Sequence, residues 1–177
     1  SLSYGARQGS GRNGVGMLFD LGDSDDTYQS LRISQGYAHL GVGVLYDQGG
    51  NDTYRSEALS QGAAQFGIGI LVDAGDGDDV RESWHDAQGF GFVAGAGILL
   101  DGGGNDDYLC HRGDPTTDSL IYASAQMEHE VIETACQGMG LGLRGDRADP
   151  PTVALHLSGG LGVLRDSGGD DRYSAGV

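Results

Sequence analysis

Apolar and polar positions along the chain fall into one short pattern that recurs. Five segments read Gly-x-Gly-x-Leu-x-Asp and end at Asp20, Asp47, Asp73, Asp101 and Asp166. Within each, alternation places the glycines and the leucine on one face and residues such as Val42, Val44, Ile68 and Ile70 on the other, which is the pattern of a β-strand. The aliphatic set is the expected core face, leaving a glycine-lined outside. The opposite arrangement would turn an aliphatic column toward a partner or a second copy.

A second string, Gly-(Asn/Asp)-Asp-x-Tyr, follows each strand at 24–28, 50–54, 77–81, 104–108 and 169–173, with Ser24 and Arg81 as departures. Its last positions in the first four copies lie 26, 27 and 27 residues apart, and Gln35, Gln61 and Gln88, each before a glycine, follow seven residues later. A period near 27 predicts an all-β chain folded as a parallel β-solenoid, a three-sided β-helix of five coils. Each coil has the Gly-aliphatic strand, an Asp turn, a second strand such as Thr53 to Leu59, and a third beginning at the Gln-Gly. Stacking would turn Gln8, Gln35, Gln61, Gln88 and Gln137 into an amide ladder and the tyrosines into a stacked column.

The fifth copy comes 65 residues after the fourth, yet no coil is missing. Tyr108 to Gln137 spans 29 residues where 7 is usual, and Gln137 to Gly160 spans 23 where Gln88 to Gly95 spans 7. The last coil therefore carries two excursions, at about 111–135 and 143–158, and residues 1–177 form a single domain. The first excursion predicts a helix from about Leu120 to Ala135, capped by Asp118. Cys110 and Cys136 stand at its two feet and are expected to be bridged, which implies an oxidising setting, extracellular or at a cell surface.

The net charge of −16 argues against nucleic acid or an anionic membrane surface as partner. No apolar run approaches the length that membrane insertion requires. The charge is also localised, since 16 of the 26 acidic residues lie in the five turns and the other ten equal the ten arginines. Turns stacked at ~4.8 Å bring carboxylates close enough to need a counter-ion. Short Asp arms and glycine carbonyls are hard oxygen donors suited to calcium. The candidate ligands are Asp20, Asp23, Asp25 and Asp26 in the first turn, Asp47 and Asp52 in the second, and Asp73, Asp76, Asp78 and Asp79 in the third. Asp101 and Asp106 follow in the fourth, and Asp166, Asp170 and Asp171 in the fifth. The first and third turns offer the most carboxylates. In the second, hydrogen bonds alone could hold the loop.

Gly49-Gly50-Asn51-Asp52-Thr53-Tyr54 and Gly103-Gly104-Asn105-Asp106-Asp107-Tyr108 resemble the calcium-binding nonapeptide of repeats-in-toxin (RTX) proteins. The resemblance covers the turn, about eight residues per coil, and implies calcium held between successive turns. Period, one such corner per coil and a closing Tyr set this chain apart from that family.

These features predict an extracytoplasmic calcium-binding module with a structural or adhesive role, part of a larger surface or secreted protein. Its partners would be calcium ions and other domains or a cell-surface molecule. The alternative is a carbohydrate-active β-helix enzyme, a lyase or hydrolase, with His111, His129, His156 and Arg144 gathered under the two excursions.

Overall fold

The computed structural model describes residues 7–111, 135–142 and 158–175. Among these residues fifteen strands form three parallel sheets of five strands each, wound as a solenoid. The first sheet contains β1 (Gly11–Arg12), β4 (Ala38–His39), β7 (Ala64–Gln65), β10 (Gly91–Phe92) and β13 (Gly140–Leu141). The second contains β2 (Val15–Phe19), β5 (Val42–Asp47), β8 (Ile68–Asp73), β11 (Ala96–Asp101) and β14 (Leu161–Arg165). The third contains β3 (Thr27–Gln29), β6 (Thr53–Arg55), β9 (Val80–Ser83), β12 (Asp107–Cys110) and β15 (Arg172–Ala175).

Register follows the repeat without slippage. Val42 pairs with Ile68 and Ile68 with Ala96, while Tyr28 pairs with Tyr54 and Tyr54 with Arg81. The last coil obeys the same rule despite its insertions, since Gly91 pairs with Gly140, Ala96 with Leu161 and Tyr108 with Tyr173. The excursions fall almost wholly outside the described residues, as does the expected helix up to Ala135. The feet of the first excursion are held by a Cys110–Cys136 disulfide, as expected from the spacing.

Three expectations are corrected. The strands of the third sheet are shorter than Thr53 to Leu59, and the Gln-Gly pair forms a turn three residues ahead of the next strand, with Gln61 at φ 51° and Gly62 at φ 74°. A side chain at Gly62 would place its Cβ 2.1 Å from the Ile98 carbonyl oxygen. In place of an amide ladder, Nε2 of Gln35, Gln61, Gln88 and Gln137 each bridges two coils through backbone carbonyls. Gln61 donates to Tyr54 O and Glu82 O, and Gln88 to Arg81 O and Leu109 O.

The third correction concerns the core. Along β5 and β8 the glycines and leucines point inward, and the aliphatics face out. The reason is a narrow interior, in which a Cβ on Gly43 would lie 2.1 Å from Tyr37 O and one on Gly69 2.0 Å from Ala63 O. Only hydrogen fits between the first and second sheets there. Next along the strand the section widens, and Leu45, Leu71 and Leu99 pack with Tyr28, Tyr54 and Tyr108 as the main core, all six buried. A second cluster of Tyr37, Ala63, Phe90 and Ala135 fills the other end of the section.

Candidate metal centre

Strands of the second sheet end, and strands of the third begin, at one corner, so zero-slip stacking lines up the Asp residues of every coil. They form three columns with different surroundings.

The first column contains Asp20, Asp47, Asp73, Asp101 and Asp166. In each, Oδ1 accepts the N–H of the residue two positions on, as Asp47 does from Gly49 at 3.0 Å and Asp101 from Gly103 at 3.0 Å, which closes the turn. The other oxygen faces the tyrosine column. Tyr28 donates to Asp47, Tyr54 to Asp73 at 2.9 Å, Tyr108 to Asp101 at 2.8 Å and Tyr173 to Asp166 at 3.0 Å.

The second column contains Asp26, Asp52, Asp79, Asp106 and Asp171. Here the backbone N–H of each Asp donates to Oδ1 of its counterpart in the next coil, from Asp26 to Asp52 at 2.7 Å, Asp52 to Asp79 at 2.6 Å, Asp79 to Asp106 at 2.7 Å and Asp106 to Asp171 at 3.2 Å. Asp52 and Asp106 each keep the remaining oxygen, Oδ2, buried with no hydrogen-bond partner.

The third column lies on the outer edge and alternates acid with amide: Asp25, Asn51, Asp78, Asn105, Asp170. Asn51 donates its N–H and side-chain amide to Asp25, and Asn105 does the same to Asp78. The Asn side-chain carbonyls accept the N–H groups of Asp78 and Asp170.

The first two columns interleave into four groups of three carboxylates: Asp26–Asp47–Asp52, Asp52–Asp73–Asp79, Asp79–Asp101–Asp106 and Asp106–Asp166–Asp171. Within each group one oxygen per residue lies within 4.8 Å of the other two, which matches the ~4.6 to 5.2 Å diameter of a calcium coordination sphere. Every group includes Asp52 or Asp106. Of the fifteen candidate ligands, nine converge in this way. Asp20, Asp23, Asp25, Asp76, Asp78 and Asp170 do not join a group. The emphasis therefore shifts: the second turn contributes two buried carboxylates, while the acid-rich first turn contributes only Asp26.

Arg81 carries a role that the sequence reading passed over as an interruption of the tyrosine column. Its guanidinium is wholly buried, sandwiched 5.2 Å from the centroids of both Tyr54 and Tyr108. Nη2 lies 3.1 Å from Asp73 and 2.8 Å from Asp79 and also contacts Asp101, while Nη1 is 3.8 Å from Asp106. Tyr28 stacks on Tyr54 at 4.9 Å and Tyr108 on Tyr173 at 4.7 Å, so the column is two aromatic pairs with a cation between them. The available signal was a basic residue at a stacking position in the middle coil.

The corner buries six carboxylates, Asp47, Asp52, Asp73, Asp79, Asp101 and Asp106, and one guanidinium, which reaches the last four. Burial accordingly pushes Asp52 up to about 6, Asp106 up to about 7 and Asp79 up to about 8, and raises Asp47 and Asp101. At the last coil Asp166 is held below its usual value. Burial opposes this, but the N–H of Gly168 and the hydroxyls of Tyr173 and Tyr108 outweigh it, while Asp171 is raised.

Among the proposed enzyme residues, His111 Nε2 lies 2.7 Å from Glu82, which also pairs with Arg55, and the His111 ring packs beside Trp84. His129, His156 and Arg144 lie outside the described residues. No family model, curated protein or solved structure matches this sequence.

Proposed function

We propose that the Asp corner binds calcium and that the ions hold the coils of an extracytoplasmic structural or adhesive module together. The carrying observation is the imbalance at the corner: of six buried carboxylates the one buried guanidinium reaches four, and two of the six keep an unpartnered oxygen. Buried charge is stable only when it is paired. Carboxylate oxygens at this spacing suit calcium better than softer metals, as no Cys or His stands among them.

Arg81 divides the column. It serves Asp73, Asp79 and Asp101 in the two central groups, whereas in the end groups it approaches only Asp106. The end groups are also the accessible ones, since Asp26, Asp166 and Asp171 are half-buried while every member of the central groups is buried. Asp26–Asp47–Asp52 and Asp106–Asp166–Asp171 are the primary ion sites in this reading. The disulfide supports an oxidising compartment, where calcium is abundant. Among the described residues no helix is long and apolar enough to cross a membrane.

Isothermal titration of the chelator-treated protein with calcium tests the reading. Binding is expected for the native chain, with loss of one class of sites in Asp52→Asn and of the other in Asp106→Asn. No heat, and the same melting temperature in calcium and in chelator, would remove calcium from the account.

A further inference from the structure

The outward face of the second sheet is apolar but for Arg165 at one corner. Its central row runs Met17, Val44, Ile70, Ile98 and Val163, in register across all five strands. Val15, Met17 and Phe19 are 66, 57 and 59% exposed, and Leu161 is 59% exposed. Arg165, at the corner end of β14, is the one charged residue among the fifteen outward positions. The narrow interior explains why the glycines point inward, but it does not require hydrocarbon outside. The third sheet shows the alternative, presenting Gln29, Thr53, Arg55, Glu82 and Arg172 on its outer face.

We propose that this face binds a second copy of the chain, sheet against sheet, about a two-fold axis that runs along the solenoid. Fourteen uncharged side chains, five of them at least 44% exposed and nine half-buried, offer on the order of 700 Å². That approaches the ~800 Å² each partner of a stable complex contributes and exceeds the ~300–600 Å² patch usual on a monomer. Charge selects the axis. A two-fold axis parallel to the strands would put both Asp corners along the same edge of the interface. An axis along the solenoid runs the facing strands antiparallel and sends the two acidic corners to opposite edges. It also lays each central-row residue against its own counterpart, and it keeps the two copies of Arg165 apart.

Sedimentation equilibrium of the native protein is expected to give a dimer at micromolar concentration. Ile70→Lys should give a monomer with an unchanged far-ultraviolet circular dichroism spectrum, and Thr53→Lys, on the polar face, should leave the dimer intact. A short bismaleimide should join Met17→Cys chains to one another, but should not join Met17→Cys to Val163→Cys chains in a mixture. A native protein that stays monomeric at tens of micromolar, a dimer indifferent to Ile70→Lys, or efficient cross-linking of positions 17 and 163 would each overturn the proposal. The measurement is independent of calcium binding, so the two readings stand or fall separately.

Discussion

Arg81 lies in register over Tyr54, its guanidinium 5.2 Å from the ring centroid, in the column position that every other coil gives to tyrosine. It supplies the middle of the solenoid with a fixed cation that no chelator can remove. Replacing it by alanine strands Asp73, Asp79 and Asp101 without their partner, and removing one side of a buried ion pair costs about 3–5 kcal/mol. Urea unfolding in chelator measures this loss.

Arg81→Tyr is the more informative change, because it completes the stack while deleting the charge. This variant is expected to show a larger calcium-induced rise in melting temperature than the native chain, as the two central groups must then recruit ions. Equal calcium responses in the two proteins would argue against ions in the two central groups.

The pH dependence without calcium follows from carboxyl groups whose folded values are raised, Asp52 to about 6, Asp106 to about 7 and Asp79 to about 8. Such groups bind protons more tightly folded than unfolded. Their stabilisation is complete below the unfolded value near ~4 and is lost as pH rises through about 6 to 8. In chelator the melting temperature should therefore climb as pH falls from 8 to 5. Calcium should lift the pH 8 value most and have little effect at pH 5, where protons hold the same oxygens. A chelated protein most stable at pH 8 would contradict this.

The glycine interior makes a sharp contrast between neighbouring faces. Gly69→Ala drives a Cβ against the Ala63 carbonyl and should cost about 2–4 kcal/mol by overpacking and backbone displacement. Thr53→Ala on the third sheet's outer face should change stability by less than ~0.5 kcal/mol. Paired denaturation curves compare them directly.

Opening the Cys110–Cys136 bridge should lower stability by about 3.5 kcal/mol on the chain-entropy relation for its 26-residue separation. The coil strands, which pair independently of the bridge, should keep their far-ultraviolet signal. Full unfolding on reduction would show that the bridge holds the body and not only the excursion.

Repeat period, coil register and the disulfide were legible because each depends on spacing alone, and spacing survives without coordinates. The inward direction of Gly43 and Gly69 was not, because alternation defines two faces without saying which is inside. The deciding quantity, the gap to Tyr37 O and Ala63 O, is set by how tightly the coil closes. The glutamine ladder failed for a related reason: Gln61 turns its amide to two strand carbonyls that no repeat pattern reveals. The acidic corner was visible as a charge excess. The division between inward carboxylates such as Asp52 and outward ones such as Asp25 needed the third dimension, as did the compensating place of Arg81.

The outer ladder of Asp25, Asn51, Asp78, Asn105 and Asp170 gives the solenoid a parity. From Asn51 on, the backbone N–H of each residue donates to Oδ1 of its counterpart in the preceding coil, and each Asn adds a side-chain donor to the acid before it. Duplicating or deleting one coil would lay Asp on Asp or Asn on Asn, and an Asp pair brings two carboxylates together with no side-chain donor between them. Lengthening the solenoid by two coils at a time would keep an amide between successive acids along this edge, a step twice the period at which the sequence repeats.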